Sequence, residues 1–444
     1  MTSGKNLRAK GVVHVSEKGL QVIYGAEVVM IAGDCKELLG GVMGSTTLHQ
    51  SVVVHPYDEK QLRPVTFEID GEVERLIINY RFSEGNVVDL GLARGDDIIG
   101  WSGGARKELI ISESFATPGY LHTPINTGTW SVLLGLYKIR GECRIDIDIT
   151  LQRKTMRWLT GDTHVHSEHS DGKLSVDALI ERAMRLNFDF LCLTDHNTTS
   201  QNRLIAGMNA PLTLIPGMEL TTDRGHVNFL GLTQPVERFL PHFSEQDITA
   251  KMDEARRNGA RIGINHPFCH YCPWMLPFHG HDWLELWNGP WDGTGNEMTF
   301  QYWLQLLYDG IKMPVTAGSD FHKEKGQILP RIRVRAHSAE REDILQALER
   351  GQSYLQSDSK TQLNRFVMGD ANIGDISDGA LLQVNLDTHP DNQVLLYTQK
   401  KIHLLNNRNG HINQEVDCSQ SSFAFLRVNR DQTAQLITNP IFRE

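Results

Sequence analysis

The spacing of apolar and polar positions changes twice along the chain. From residue 11 to about 151, short apolar runs (VVHVS, LQVIYG, SVVVH, PVTFEID, RLIINYRF, VVDLGLA, WSVLLGLYKI, CRIDIDITL) are separated by Gly, Pro, Asp and Asn turns. Strict alternation over 66–69 and 144–150 is the period of a strand with one buried face. This pattern predicts an all-β sandwich over residues 1–155.

A second pattern begins near Trp158. Val176, Leu179, Ile180 and Ala183 fall on one helical stripe with Ser175 placed to cap it. Strand-like runs at 188–193, 212–215, 226–230, 261–264, 283–287 and 315–317 interleave with helical patterns at 244–258, 296–308 and 339–350. Such alternation predicts a parallel barrel or an open α/β sheet over 156–351, with active groups at the C-terminal ends of its strands. The runs QVNLD, NQVLLYT, KIHLLN and FAFLRVN then return to a β pattern, giving a small β-rich region over 352–444.

Nearly every predicted strand end in the middle region carries a metal-ligand residue type. His164 and His166, at i and i+2 of an extended segment, point the same way. An isolated pair of this kind is most often two solvated histidines. Here it is followed by Asp171 in SDG, Asp195 and His196 in LTDHN, Glu219 in PGMEL, His226 after Gly225, and His266 in NHP. Asp320 and His322 in GSDFH repeat the i, i+2 spacing. Nine ligands (His164, His166, Asp171, His196, Glu219, His226, His266, Asp320, His322) are more than one ion can use and imply two or three. Mixed imidazole and carboxylate donors suit Zn, Mn or Fe better than Ca or Mg. Asp195, beside His196, either orients that imidazole through its second nitrogen or caps a strand end. Cys269-His270-Tyr271-Cys272 is a CxxC beside His266; with no second pair it reads as a loop shaping the pocket, with His270, His279 and His281 as helpers if an extra ion is held there.

Bulk properties narrow the function. A length of 444 residues suggests two or three domains. The net charge of −10, from 44 basic against 54 acidic residues, argues against a broad duplex nucleic-acid surface. The start, MTSGKNLRAKG, lacks an apolar leader, and no apolar run approaches a bilayer span, so a cytoplasmic protein without membrane contact is expected. Six scattered cysteines fit reduced thiols.

Taken together, HVHSEHSDG, LTDHN, PGMEL, Gly225-His226, NHP and GSDFH resemble the PHP family of metallohydrolases. The β-rich front with TPGYLHTPINTGTWSVLLGLYKI, LELWNG at 284–289 and TNPIF near the end are similar to its carbaryl-hydrolase-like branch. The resemblance implies an α/β fold: a distorted (β/α)7 barrel with a trinuclear site at its C-terminal mouth, flanked by the sandwich and the C-terminal β region. It implies that His164 and His166 share one ion with Glu219 and Asp320. Glu219 would bridge to a second ion on His226 and His266, with Asp171, His196 and His322 holding the third.

The expected activity is that of a metal-dependent hydrolase. The first choice is a phosphoesterase that cleaves a small phosphate ester with a metal-bound hydroxide, since clustered cations select concentrated negative charge. Asp195, His196 and His322 are the expected catalytic groups, with the leaving-group proton coming from a site histidine or a bound water. Arg224, Lys323, Lys325 and Arg331 either contact substrate oxygens or are solvated surface charges. Phe268, Tyr271, Trp274 and Trp287 either stack on the substrate or pack the core. Carbamate or carboxylic ester hydrolysis by the same site is the alternative. A non-catalytic metal-binding scaffold is a third reading, disfavoured by the full ligand set. The expected partner is a small phosphorylated or ester substrate. The flanking β regions either pack on the barrel or build a homo-oligomer.

Overall fold

Alternating residues in the front region do form a sandwich. The computed structural model describes residues 44–444 except 233, 235, 237–243, 292–294, 325–329 and 358–359, plus the backbone of three short strands near the N-terminus. One antiparallel sheet orders Leu62–Ile69, Gly128–Lys138, Val87–Arg94 and Asp97–Gly103; the other orders Ser45–Val54, Cys143–Arg153, Val73–Phe82 and Glu108–Ile111. Val65, Phe67 and Ile69 from one sheet and Ile145, Ile147 and Ile149 from the other are buried in one core around Trp130. Val12–Ser16 pairs with Gly19–Tyr24, which pairs in turn with Glu27–Met30, in a three-stranded sheet apart from these two.

The middle region contributes seven strands: β1 (Arg157–Val165), β2 (Phe190–Leu193), β3 (Thr213–Thr222), β4 (Gly225–Leu230), β5 (Arg261–Ile264), β6 (Trp283–Asn288) and β7 (Val315–Gly318). They lie side by side in chain order. Helices α1 (Val176–Arg185), α2 (Ser200–Ile205), α3 (Glu245–Arg257), α4 (Gly295–Tyr308) and α5 (Arg341–Glu349) join or follow them. Ser175 caps α1 as expected, its hydroxyl accepting from the Ala178 N–H at 3.2 Å. The helix α2 is too short to show a periodic stripe and went unpredicted.

Two features depart from a parallel barrel. Only Asp223 and Arg224 separate β3 from β4, too few for a crossover, so the two form an antiparallel hairpin and β4 runs antiparallel to β5 as well. The strand ladder also does not close. The free edge of β1 along Arg157–Gly161 is taken by β8 (Arg331–Ala336), which leads through β9 (Ser353–Gln356) into Thr433–Thr438 and Phe423–Arg430. The C-terminal region therefore extends the central sheet. β7 meets β1 only beyond Gly161, where the Thr163 hydroxyl donates to the Ala317 carbonyl at 3.0 Å and the Asp320 N–H to the His164 carbonyl at 2.9 Å.

The outer edge of β7 is closed by one side chain. Buried Asn439 accepts from the Val315 N–H at 2.8 Å and donates to the Val315 carbonyl at 2.9 Å and the Ser353 hydroxyl at 2.9 Å, imitating a paired strand. Asn439→Ala should leave these buried groups unpaired and cost on the order of 1–3 kcal/mol. A lowered urea midpoint is expected; an unchanged midpoint would mean the bonds contribute nothing.

Candidate metal centre

Strand register brings the candidate ligands level. Val165 pairs with Leu193 and Leu193 with Pro216, so the residues just after β1 and β2 arrive beside the middle of β3. Isolated bridges join His196 to Glu219 and Val165 to Phe321, extending that level to the β7 turn. His226 enters from the hairpin and His266 from the turn after β5. Eight of the nine predicted ligands fall there into three groups, with Glu219 between them. One is His164, His166 and Asp320; another is His166, Asp171, His196 and His322; the third is His226 and His266 with Cys272. Within each, the ligand atoms all lie within 4.8 Å of one another.

Glu219 stands between the groups. Its Oε1 lies 3.1 Å from His226 Nδ1 and 3.5 Å from His266 Nε2; its Oε2 lies 2.8 Å from His196 Nδ1, 3.4 Å from His164 Nε2 and 3.5 Å from His166 Nε2. Despite this crowding, buried Oε2 accepts no aligned hydrogen bond. His164 Nε2 and His166 Nε2 are 3.1 Å apart, with Asp320 Oδ1 at 3.4 and 3.0 Å. Ligands about 2.0–2.1 Å from a common ion sit roughly 2.9–3.4 Å from each other, so these separations fit a divalent cation. Facing imidazole nitrogens and an orphaned carboxylate oxygen are otherwise costly to bury.

The charges compensate accordingly. Burial would push the His164 imidazole down, but Glu285, Glu219 and Asp320 outweigh it and hold it well above its ordinary value. Glu219 is held well below the usual carboxylate range, because His164, His196 and His226 overcome its burial. Asp320 is likewise lowered, by His164 and His166 against burial. Burial prevails at His166, whose pKa falls. At His266 burial is outweighed by Cys272, Glu219 and Glu285, and the pKa rises well above normal.

The residues that orient these ligands escaped the sequence reading. Glu285, in the LELWNG segment on β6, is buried and lies 2.9 Å from His164 Nδ1. Its Oε2 accepts from the His266 N–H at 3.2 Å and from Asn288 at 3.0 Å. The available signal was a lone carboxylate inside an otherwise apolar strand. Asp162 bridges the two ligand-bearing turns, accepting from the His164 N–H at 3.2 Å and the Ser319 N–H at 2.9 Å. Asn265 donates to Glu219 Oε1 at 2.8 Å. His322 Nδ1 faces the Asp320 carbonyl at 2.8 Å, leaving Nε2 toward Asp171 at 3.1 Å. Gly318 is required by close approach, since a Cβ there would lie 2.3 Å from that of His164. His266 and Asp320 hold positive φ of 29° and 49°, conformations uncommon outside glycine that mark the ligand turns.

These positions correct the expected roles of Asp195 and Arg331 and place Trp274, Trp287 and Phe268 on the core-packing alternative. Asp195 does not orient His196: it accepts from the Ser167 N–H and hydroxyl and the Ser170 hydroxyl, each at 2.8 Å, and so braces the SDG loop. Arg331 turns toward the Phe188 ring, 5.7 Å away. Trp274 and Trp287 are core residues. Phe268 packs on Tyr302, 5.5 Å between centroids. Arg224, in the hairpin turn, and Lys323, after His322, are exposed, whereas Lys325 lies outside the described residues. Tyr271 is exposed as well.

Residues 162–262 match the PHP domain. That span includes His164, His166, Asp171, His196, Glu219 and His226, while His266, Asp320 and His322 lie beyond it. The 5'-3' exoribonucleases Rnm of Salmonella typhimurium LT2 and Escherichia coli K12 are 30% identical over 107 residues and 32% over 119. Each match takes in 23% of this chain, and the chain spans only 35% and 41% of those relatives' lengths. Among solved structures, a two-domain Bacteroides vulgatus protein containing a predicted PHP-like metal-dependent phosphoesterase is 17% identical. It covers 64% of this chain and 96% of its own, with a TM-score of 0.39. PsfC from Pseudomonas syringae PB-5123 is also 17% identical, covering 46% and 93%, with a TM-score of 0.34.

Two outcomes are expected of this ligand cluster. Glu285→Gln, which weakens the partner of His164 Nδ1, should lower metal affinity about 10–100-fold; affinity equal to wild type in a competitive chelator titration would remove Glu285 from this role. Because His164 and His266 are held above their ordinary pKa, an incoming ion competes with protons for both imidazoles. Metal uptake should therefore release protons and weaken as pH falls. Calorimetry in buffers of different ionisation enthalpy reads this directly, and identical heats would contradict it.

Proposed function

We propose that this protein is a metal-dependent hydrolase and that its substrate is a small phosphate ester. The observation that carries the reading is the pair of buried imidazole nitrogens 3.1 Å apart beside the orphaned Glu219 oxygen, an arrangement whose donors fit divalent ions. His164, His166, Glu219 and Asp320 would hold one ion, Asp171, His196 and His322 another, and His226 and His266 a third. Zn, Mn and Fe match these donors. Bound divalent ions supply an acidified water and neutralise oxyanion charge.

The chain itself shapes how substrate meets that chemistry. His164, His166 and Glu219 form a closed floor, with side-chain exposures of 0%, 0% and 1%. Asp171, His196 and His322 form an open rim, at 60%, 25% and 28%. A ligand must approach across the rim. With His196 and His322 committed to an ion, the proton for a departing oxygen would come from water at this open rim, and Arg224 and Lys323 are exposed cations on neighbouring turns. Support for phosphate comes from the PHP match and from relatives named exoribonucleases, whose substrates contain phosphodiesters. The carbaryl-hydrolase-like features favour carbamate as the second reading. The donor types remaining at every ligand position disfavour a bare scaffold.

The test compares an aryl phosphate, a phosphodiester and an aryl carbamate with metal-loaded wild type and His166→Ala. Turnover of a phosphate probe is expected, falling by at least about 10²-fold in the variant, since His166 belongs to two of the three groups. Carbamate cleavage with inert phosphates would replace the first reading by the second. No turnover with ions bound would favour the scaffold.

A further inference from the structure

The CxxC loop stands closer to the site than a loop that merely shapes the pocket requires. After His266 the chain doubles back: the Cys269 N–H donates to the His266 carbonyl at 2.8 Å, the Trp274 N–H to the Pro267 carbonyl at 2.8 Å, and the Met275 N–H to the Arg224 carbonyl at 2.9 Å. Trp274 seats against Gly225, where an added Cβ would lie 2.9 Å from the Trp274 Cα, which ties the loop to the hairpin that carries His226. The result places the half-buried Cys272 Sγ 3.7 Å from His266 Nδ1 and within 4.8 Å of the His226 ligand atom. Cys269 Sγ is 2.9 Å from Cys272 Sγ but is not part of that histidine group.

We propose that Cys272 is a thiolate ligand, holding an ion together with His226 and His266 on the Nδ1 edge of His266. This rests on the metal-centre reading above and assigns a ligand beyond the nine histidines and carboxylates. For an ion about 2.3 Å from sulfur and 2.0–2.1 Å from nitrogen, the S···N edge of a tetrahedron is roughly 3.6 Å, close to the separation found here. His266 also presents Nε2 to Glu219 at 3.5 Å, so the ring must choose one edge. On the Nδ1 edge this position has two nitrogens and a sulfur, whereas the other two groups have only nitrogen and oxygen. Thiolate selects Zn, Co or Fe over Mn and Mg, so the three positions should differ in metal preference. The thiol proton leaves to solvent as the metal–sulfur bond forms.

Cobalt(II) loading of the full chain tests this without reference to activity. Wild type and Cys269→Ser should show a near-ultraviolet thiolate-to-cobalt charge-transfer band that Cys272→Ser lacks. Cys272→Ser should retain cobalt at the nitrogen and oxygen positions, which shows that it folds, while holding one ion fewer. Its zinc affinity at the lost position should fall at least as far as the about 10–100-fold cost of removing an outer partner. Cobalt bound in wild type without the band would overturn the thiolate assignment and leave the hydrolase reading intact. A band that survives Cys272→Ser and vanishes in Cys269→Ser would overturn it too. The band in a protein that turns over no ester would sink the hydrolase reading alone.

Discussion

A carboxylate with no exposure to water, surrounded by imidazoles, is the constraint on which the middle of this protein depends. Glu219 lies within 3.5 Å of nitrogens from His164, His166, His196, His226 and His266. Without cations, such a cluster is stable only through proton sharing, which is why His164 and His266 are pushed up while Glu219 and Asp320 are pushed down. With cations the same atoms become a ligand shell. The outer partners Glu285, Asp162 and Asn265 then make sense as groups that fix ring and carboxylate orientation.

The scaffold meets that constraint through register. Paired positions along β1, β2 and β3 put His166, His196 and Glu219 at one level, and the turn after β7 returns to His164 by backbone hydrogen bonds. Asn439 and β8 hold the two ends of the strand array in place, and both belong to the chain after Arg331. The C-terminal region thus positions the metal-binding turns at a distance. The sandwich contributes too: its Glu74 pairs with Arg157 at the start of β1 at 2.6 Å and accepts the Ala339 N–H at 3.1 Å.

What could be read in advance followed from period and residue type. Alternation revealed the sandwich strands, the helical stripe revealed α1 with its Ser175 cap, and strand-end histidines and carboxylates picked out nine side chains that the fold brings together. The hairpin between β3 and β4 was hidden because both strands are buried on each face and show no alternation. The β/α alternation left a closed barrel and an open sheet as alternatives, because edge pairing between β1 and β8 is a long-range choice that no local pattern encodes. Asp195 was misjudged because proximity in sequence to His196 says nothing about which side chains its oxygens meet once the SDG loop folds over it. Glu285 escaped notice because its contacts with His164 and His266 join segments far apart in the chain, and the Cys269–Cys272 loop read as shaping the pocket because CxxC had no second pair.

The central claim is that these side chains form three adjoining cation sites. Crystals grown with manganese or zinc and measured at the metal's absorption edge test it most directly. The account predicts anomalous peaks between His164, His166 and Asp320, between Asp171, His196 and His322, and beside His226 and His266. An active protein with full metal content whose peaks lie elsewhere would contradict it.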